Sequence, residues 1–253
     1  MLKSHVKLPV PVISSGKGWI AVDKPSGISV HNDRKNICSI ISAYIKKTPE
    51  MGRLIEYEET FGIHPIHRLD RDTSGIILLA CNKEAFRHFS LQFEERTIEK
   101  KYIALLHGNL LPKIDSEGRG TWKFPLSKHP GGRMDPAGKT DKQPSETFFK
   151  VLDSSFHYTY VACSPLTGRI HQIRRHAKLA GHPVVGDKRY GTPRSLKFLK
   201  SNFGFDRLAL HAMSISINPL GSSARKVISS PEIPGEISRL FSEDKASSKS
   251  VEP

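Results

Sequence analysis

Residues 76–80, Ile-Ile-Leu-Leu-Ala, form an unbroken apolar run directly after a polar segment of twelve residues, His64 to Gly75. So short and continuous an apolar run predicts a strand that is buried on both faces. The polar segment holds two acids, two arginines, two histidines and two hydroxyl groups. Reactive side chains tend to lie on loops that a rigid scaffold positions. Asp70 is therefore the first candidate for a chemical role.

Apolar spacing in the rest of the chain predicts helices and strands without a regular strand–helix repeat. Apolar residues recur at the helical period between residues 37 and 45, and Asn82 is a suitable N-cap for a second amphipathic helix. Strands are predicted over residues 19–22, 100–106, 147–151, 158–163 and 207–217. This mixture favours an α+β fold, with a single domain on a mixed, mostly antiparallel central sheet flanked by helices.

The two ends of the chain differ in composition from its centre. Residues 1–17 contain Pro9, Pro11 and Gly16, which predicts a loosely held lead-in without regular structure. Ser, Lys and Glu dominate residues 242–253, which predicts a disordered tail. No change in composition divides residues 18–241, so we expect one domain there.

The charge balance indicates a polyanionic partner. Lysine and arginine total 39 against 25 acids, which gives a formal net charge of +14 and an isoelectric point near 9.7. Nucleic acid is the commonest partner of so basic a chain. No apolar run approaches the roughly 20 residues that a membrane helix needs, and the first residues lack the apolar centre of a secretory signal. We therefore expect a cytoplasmic protein.

The polar groups leave several kinds of site open. Cys38, Cys81 and Cys163 are widely spaced, which argues against disulfides and a thiolate zinc site. His64, His67 and Asp70 lie three residues apart, so a metal-dependent hydrolase remains a weak alternative. From composition alone, a structural salt bridge is a more frequent role for Asp70 than catalysis. A non-catalytic RNA-binding factor would also explain the charge.

Five segments together resemble the RluA-type pseudouridine synthases. HRLDRDTSG at 67–75 is similar to the signature of that family, including its aspartate. The other segments follow in the family's order, and the resemblance extends from about residue 19 to residue 240. They are DKPSGISVH at 23–31, EKKYIALLHG at 99–108, TGRIHQIRRHAKLAGHPVVGDKRYG at 167–191 and RLALHA at 207–212.

This resemblance implies an RNA pseudouridine synthase whose catalytic domain spans residues 18–241 and isomerises uridine in rRNA or tRNA without a cofactor, metal or energy source. Asp70 corresponds to the catalytic carboxylate, which would attack the sugar or the base, or remove a ribose proton. Tyr102 corresponds to the tyrosine that stacks on the uracil. Arg169 corresponds to the basic residue that pairs with the aspartate and keeps it ionised.

The resemblance also implies residues that bind the substrate. Arg68 corresponds to the side chain that fills the space left when the target base leaves the stack. Leu69 and Ile173 are expected to form walls of the pocket, and His67 is expected beside it. No room remains before residue 19 for the small RNA-binding domain that many relatives carry, so we expect the catalytic domain itself to hold RNA. We also expect a monomer. The expected RNA contacts are Lys128, Arg133, Arg174, Arg175, Lys188 and Arg189.

Overall fold

The computed structural model describes residues 10–31, 33–110 and 114–249. Contacts between these residues divide the chain into two compact units. The first unit comprises Met1–Lys100 and Ala212–Pro231, and the second comprises Lys101–His211 and Glu232–Pro253. The expectation of a single domain over residues 18–241 stays a prediction.

Strands and helices alternate irregularly along the described residues. The strands are β1 (Val12–Gly16), β2 (Trp19–Lys24), β3 (His64–Pro65), β4 (Ser74–Ala80), β5 (Glu99–His107), β6 (Arg119–Trp122), β7 (Leu126–Ser127), β8 (Lys142–Gln143), β9 (Thr147–Ser154), β10 (Tyr158–Pro165), β11 (Leu210–Ile217) and β12 (Lys226–Ser229). The helices are α1 (Ile37–Lys47), α2 (Pro49–Leu54), α3 (Lys83–Glu94), α4 (Gln172–Leu179), α5 (Pro193–Phe203) and α6 (Gly235–Lys249). None of these helices is both long and apolar enough to span a bilayer.

The first unit is built on a sheet in which β1, β2, β4 and β11 are neighbours in that order, with β3 beside β4 and β12 beside β11. The pairs β1–β2, β2–β4, β3–β4 and β11–β12 are antiparallel. Every residue of β4 is buried, which confirms the prediction made from residues 76–80. Phe89 on α3 packs into the core with Trp19, Leu78 and Ile215, and the side chain of Asn82 caps this helix as predicted.

The second unit contains the strand order β5, β10, β9, β6, and its pairs are antiparallel. The short strands β7 and β8 form a separate antiparallel pair. Helix α4 contacts β9 and β10, and α6 contacts β10. Because β5 pairs with β10, Tyr102 lies opposite Cys163. The predicted α+β class, with mostly antiparallel pairing and flanking helices, is confirmed.

Both predictions for the ends of the chain are wrong where the structure describes them. Residues 12–16 of the expected lead-in form β1, and residues 242–249 of the expected tail belong to α6. The lead-in prediction failed because β1 is paired with a single neighbour, β2, and proline is tolerated beside an edge strand. Residues 1–9 and 250–253 lie outside the described residues.

Candidate active site

The loop that carries Asp70 joins β3 to β4, and the buried side chain of Lys24 holds its backbone by a hydrogen bond. The ammonium group of Lys24 donates hydrogen bonds to the carbonyl oxygens of Pro25 at 2.9 Å, Ile28 at 2.8 Å and Arg71 at 2.9 Å. Lys24 is fully buried, and a buried charge is tolerated only when polar partners surround it. The lysine therefore fixes the backbone one residue after Asp70.

Further backbone contacts fix the loop around the carboxylate. The amide of Thr73 donates to the carbonyl oxygen of Asp70 at 3.1 Å, which closes a turn. The hydroxyl of Ser26 donates to the carbonyl oxygen of Asp72 at 2.7 Å. Leu69 is buried and Asp70 is partly exposed, so an apolar side chain anchors the loop immediately before the acid. Arg68, one residue earlier, is exposed.

The side chain of His67 packs against β4 and α3. Its Nε2 accepts a hydrogen bond from the amide of Leu78 at 3.0 Å, and its ring stacks on Phe93 at 5.3 Å. Burial, and then the positive charge of Lys100, lower the pKa of His67 from 6.5 to about 3. The imidazole is therefore neutral, and its predicted contact with substrate stays a prediction.

The structure gives no support to the metal alternative. His64 is exposed, and its Nε2 lies 2.8 Å from the carbonyl oxygen of Phe61. Within residues 10–31, 33–110 and 114–249, no group of three or more His, Cys, Asp or Glu side chains could hold a metal ion. His64 and His67 instead make local contacts with the polypeptide.

In the second unit, Arg169 lies in the turn before α4, and Gln172 holds this turn against β9. The side-chain oxygen of Gln172 accepts from the Arg169 amide at 3.0 Å and from the Thr167 hydroxyl at 2.7 Å. Its amide group donates to the carbonyl oxygen of Glu146 at 2.9 Å. The Nε of Arg169 is buried and has no hydrogen-bond partner among the described residues. A buried donor without a partner is a position where a bound group can be recognised.

The remaining predicted pocket residues of the second unit are buried on regular elements. Tyr102 is in β5 and Ile173 is in the first turn of α4. His171, the N-cap of α4, has a φ of 55°, a left-handed conformation that is uncommon for a residue with a side chain. Its Nδ1 lies 3.0 Å from the hydroxyl of Tyr190. Strained backbone of this kind concentrates at functional sites.

Residues 18–179 match the family described as RNA pseudouridylate synthase. The chain belongs to this family. The resemblance of the sequence motifs to the RluA-type pseudouridine synthases is thereby confirmed.

Curated relatives support the same assignment. The "Ribosomal large subunit pseudouridine synthase C" of Vibrio cholerae is 37% identical over 215 residues, which cover 84% of this chain and 62% of that protein. The protein of the same name from Escherichia coli is 35% identical over 213 residues, which cover 84% of this chain and 63% of that protein. The chain thus spans less than two thirds of the length of these relatives.

Two solved structures share the fold of this RNA pseudouridylate synthase family member. Human RNA pseudouridylate synthase domain containing 4 matches with a TM-score of 0.68 and 23% identity, over 92% of this chain and 90% of that chain. Human RNA pseudouridylate synthase domain containing 1 matches with a TM-score of 0.64 and 23% identity, over 91% of this chain and 86% of that chain. At this identity the similarity concerns the fold alone.

Two of the RNA contacts predicted for this family member are wrong, and Arg174 is the first. It is buried, and its Nε and one terminal nitrogen donate to the two carboxylate oxygens of Asp187 at 2.7 and 2.9 Å. Burial alone would raise the pKa of Asp187, but hydrogen bonds from Arg174 and from the amides of Tyr190 and Arg189 outweigh burial and lower it. Arg174 therefore orders the segment around residue 187 by a buried ion pair.

Arg175 is the second incorrect RNA contact, because it has no exposed surface. Its guanidinium donates to the carbonyl oxygens of Pro136 at 2.6 Å, Ala137 at 2.6 Å and Ser127 at 3.0 Å. Arg175 of α4 thus holds residue 127, which directly precedes the basic segment 128–142, and residues 136 and 137 within it. A cation in the helix was readable from the sequence, but its burial was not.

The other predicted RNA contacts lie at the surface or partly buried. Lys128, Lys188 and Arg189 are exposed, and Arg133 is partly exposed. Lys188 forms an ion pair with Asp206 at 2.9 Å, and Arg189 donates to the carbonyl oxygen of Gly131 at 3.1 Å. These four residues stay predicted RNA contacts of the family member.

Three residues that shape the site were missed as functional residues. Lys24, Gln172 and Asp187 each lie inside a segment that carries the family resemblance, which was the available signal. Their partners are distant in sequence: Lys24 reaches Arg71, and Gln172 reaches Glu146. The predicted pairing of Asp70 with Arg169 stays a prediction.

Proposed function

We propose that this chain is an RNA pseudouridine synthase that isomerises specific uridines in rRNA or tRNA to pseudouridine without a cofactor. The observation that carries the proposal is the position of Asp70 in the family's signature segment. Lys24 and the Thr73 amide fix the backbone on which this acid is presented.

The reaction exchanges one bond of the uridine for another and conserves all its atoms. The bond between the ribose carbon and the base nitrogen breaks, the detached uracil rotates, and the ribose carbon bonds to a ring carbon. That ring carbon then loses its proton, and the released nitrogen gains one. Asp70 acts on the sugar or the base as a nucleophile, or removes a ribose proton; each route needs the ionised carboxylate.

Two residues of the second unit complete the proposed chemistry. Arg169 pairs with Asp70 and holds the carboxylate in position for the reaction. The buried Nε of Arg169 has no hydrogen-bond partner among the described residues, which supports a role in binding a group of the substrate. Tyr102 stacks on the uracil, and its hydroxyl assists the loss of the proton from the ring carbon. The tyrosine is buried and lies on the regular strand β5, which limits the alternative positions of its ring.

The target uridine must leave the RNA stack before it can reach the acid. We assign that step to Arg68, whose exposed guanidinium can stack and hydrogen-bond in the vacated space. Leu69 and Ile173 line the pocket with apolar surface, and His67 lies beside it as a further substrate-binding residue. This division places RNA recognition and bond chemistry two residues apart on one loop.

The RNA substrate class is inferred from charge and from relatives. The name of the relatives from Vibrio cholerae and Escherichia coli, "Ribosomal large subunit pseudouridine synthase C", favours rRNA over tRNA. Lys128, Arg133, Lys188 and Arg189 supply the phosphate contacts in this proposal. We propose that the protein acts as a monomer in the cytoplasm.

The test is conversion of uridine in bulk RNA by purified protein in the presence of EDTA, mapped by carbodiimide treatment and primer extension. We expect the wild-type protein to produce pseudouridine and Asp70→Asn to produce none. Asp72→Asn is the matched control, because this acid lies in the same loop and has no proposed role; it should retain activity.

Two results would contradict the proposal. Identical pseudouridine maps for wild type and Asp70→Asn would favour a non-catalytic RNA-binding factor on the same fold. Activity that disappears with EDTA and returns with a divalent metal would favour the metal-dependent alternative. RNA binding alone does not distinguish these functions, so the chemical conversion has to be measured.

A further inference from the structure

A cleft of about 620 Å³ lies in the second unit where α5 faces the end of β5 and the start of β10. Its lining includes His107, Tyr158, Arg194, Lys197 and Phe198. None of the residues assigned above to catalysis or to RNA contact lines it. The cleft therefore requires an explanation of its own.

One face of α5 supplies half of the residues that line this cleft. Its residues recur at the helical spacing i, i+3, i+4, i+7 and i+8, which places them on one side of a helix. All of them are exposed, whereas Leu199 on the other side is buried. The cleft-facing residues are Arg194, Lys197, Phe198, Ser201 and Asn202.

Phe198 is an exposed aromatic ring in this otherwise polar row. It is 53% exposed, and Phe203 of the same helix packs edge-on against it at 5.7 Å. The neighbouring ring limits the positions of Phe198 but leaves much of its surface in contact with water. Exposed rings beside cations are typical of surfaces on which bases of single-stranded nucleic acid stack.

The cations of the cleft are available to an anion. Arg194 and Lys197 form no ion pair with any acid in the described part of the chain, and the cleft lining contains no carboxylate. Lys200, on the same helix but outside the cleft, is paired with Asp206 at 3.2 Å. Two cations of this helix at the cleft therefore have no acidic partner in the described part of the chain, whereas the third, outside the cleft, is paired with an acid.

The opposite wall adds ring surface and a hydrogen-bonding edge. The rings of His107 and Tyr158 lie 5.6 Å apart, and His107 Nε2 lies 3.1 Å from the hydroxyl of Ser195. His157 also lines this wall, and its Nδ1 lies 2.6 Å from the carboxylate of Asp244. This acid is thereby engaged with the histidine and lies outside the lining itself.

We propose that this cleft binds a nucleotide of single-stranded RNA, with its base against Phe198 and its phosphate held by Arg194 and Lys197. The occupant rests on the proposed function, which makes RNA the natural polyanion for this chain. Ring surface with nearby cations fits a nucleotide better than an apolar peptide, which would leave both charges unpaired. The site binds a segment of the substrate other than the target uridine.

The test measures affinity for a labelled single-stranded oligouridine by fluorescence anisotropy at several salt concentrations. Phe198→Ala should weaken binding about tenfold, because stacking contributes about 1–3 kcal/mol per base. Arg194→Gln with Lys197→Gln should reduce the slope of log affinity against log salt by about 0.7, the value for loss of one phosphate contact on a single strand. Lys200→Gln is the matched control and should leave both quantities near the wild-type values.

A direct measurement locates the contact. RNA that contains 4-thiouridine, irradiated with the protein, should crosslink to the peptide that carries residues 193–203. Wild-type affinity and slope in the cleft variants, or no crosslink in this peptide, would overturn the proposal. It would also be overturned if the variants changed only the oligomeric state in size-exclusion chromatography, since a second copy would then occupy the cleft.

Failure of the cleft proposal is distinguishable from failure of the proposed function. Asp70→Asn should lose conversion and bind oligouridine like wild type, whereas Phe198→Ala should lose affinity and retain conversion at saturating RNA. If the protein makes pseudouridine but Phe198→Ala binds RNA with wild-type affinity, only the cleft proposal is overturned. If the protein makes no pseudouridine but Phe198→Ala weakens its RNA binding, only the proposed function is overturned.

Discussion

Arg175 provides a test of whether a basic residue in α4 binds RNA or instead stabilises the fold. The sequence predicts that it contacts RNA, but the structure leaves its side chain no exposed surface. We predict that Arg175→Met destabilises the protein and leaves the salt dependence of RNA binding unchanged. Methionine is also long and unbranched, so it fills much of the same space, but it has none of the guanidinium donors.

The magnitude follows from the bonds that are lost. Arg175 donates to the carbonyl oxygens of Pro136, Ser127, Ala137 and Ile170 and, at 3.3 Å, to the Ser127 hydroxyl. Ala137 retains a donor, because its carbonyl oxygen also accepts from the Ser127 amide at 2.9 Å. A buried carbonyl that loses its donor costs about 1–3 kcal/mol. Three such groups remain, on Pro136, Ser127 and Ile170, and at the lower end of that range we expect a loss of about 3 kcal/mol in the free energy of unfolding.

Differential scanning calorimetry measures this effect as a shift of Tm. In a chain of this size, 1 kcal/mol corresponds to about 2–4 °C, so Tm should fall by about 10 °C. Arg189→Met is the matched control, because this exposed arginine donates to carbonyl oxygens of Pro130 and Gly131 in the same segment. The control should change the free energy of unfolding by only about 0.5 kcal/mol.

RNA affinity at several salt concentrations gives the second readout. Arg175→Met should keep the wild-type slope, whereas Arg189→Met should reduce it by about 0.7–0.9 if Arg189 contacts one phosphate as proposed. An unchanged Tm combined with a shallower slope in Arg175→Met would refute the reasoning. That result would mean that the side chain reaches RNA despite its burial.

Three further predictions concern the Asp70 loop and its support. Gly75 has a φ of +110°, and a Cβ there would lie 2.6 Å from the Ala212 backbone nitrogen. Gly75→Ala should therefore destabilise the protein by at least about 3 kcal/mol in urea unfolding. Gly27→Ala is the control, because a Cβ there would contact nothing; it should cost less, and equal costs would contradict the backbone clash. Because the folded-state pKa of His67 is lowered from 6.5 to about 3, its contribution to stability is present above 6.5 and is lost as pH falls towards 3. Between about pH 7 and about pH 5 the free energy of unfolding falls by about 2 kcal/mol from this source. Over that interval His67→Gln should lose about 2 kcal/mol less stability than wild type in urea unfolding. Identical pH dependences of the two proteins would show that His67 does not titrate this way. Arg68→Ala should lose more pseudouridine formation on structured RNA than on a short single strand, and equal losses would remove Arg68 from base flipping.

Local patterns predicted the elements whose packing follows from their own residues. The apolar run at 76–80 identified β4, and the helical spacing from Ile37 identified α1. The tail was misread because its composition is polar, although Ile237, Leu240 and Phe241 are buried at helical spacing at the start of α6. Composition describes the average of a segment, whereas a helix in a protein is stabilised mainly by the packing of its buried face, here against β10.

The candidate site was predictable where a motif identified the residue, and less so where its partner is distant in the chain. The position of Asp70 followed from the signature segment, but its support by Lys24 depends on a carbonyl 47 residues away. Arg174 and Arg175 are adjacent to each other and equally basic, yet one meets Asp187 and the other meets backbone carbonyls. No local pattern specifies such partners, because each is brought near only by the tertiary fold.

These partners change how the net charge of +14 should be understood. Arg174 is neutralised by a buried carboxylate, Arg175 is enclosed by carbonyl oxygens, and Lys188 shares Asp206 with a second lysine. Charges of this kind contribute little to phosphate binding, because they are screened by partners or cannot reach RNA. Net charge therefore indicates that a polyanion binds but overstates the number of contacts. Exposed cations that have no acidic partner in the described part of the chain, such as Arg194 and Lys197, are better guides to the course of the RNA strand.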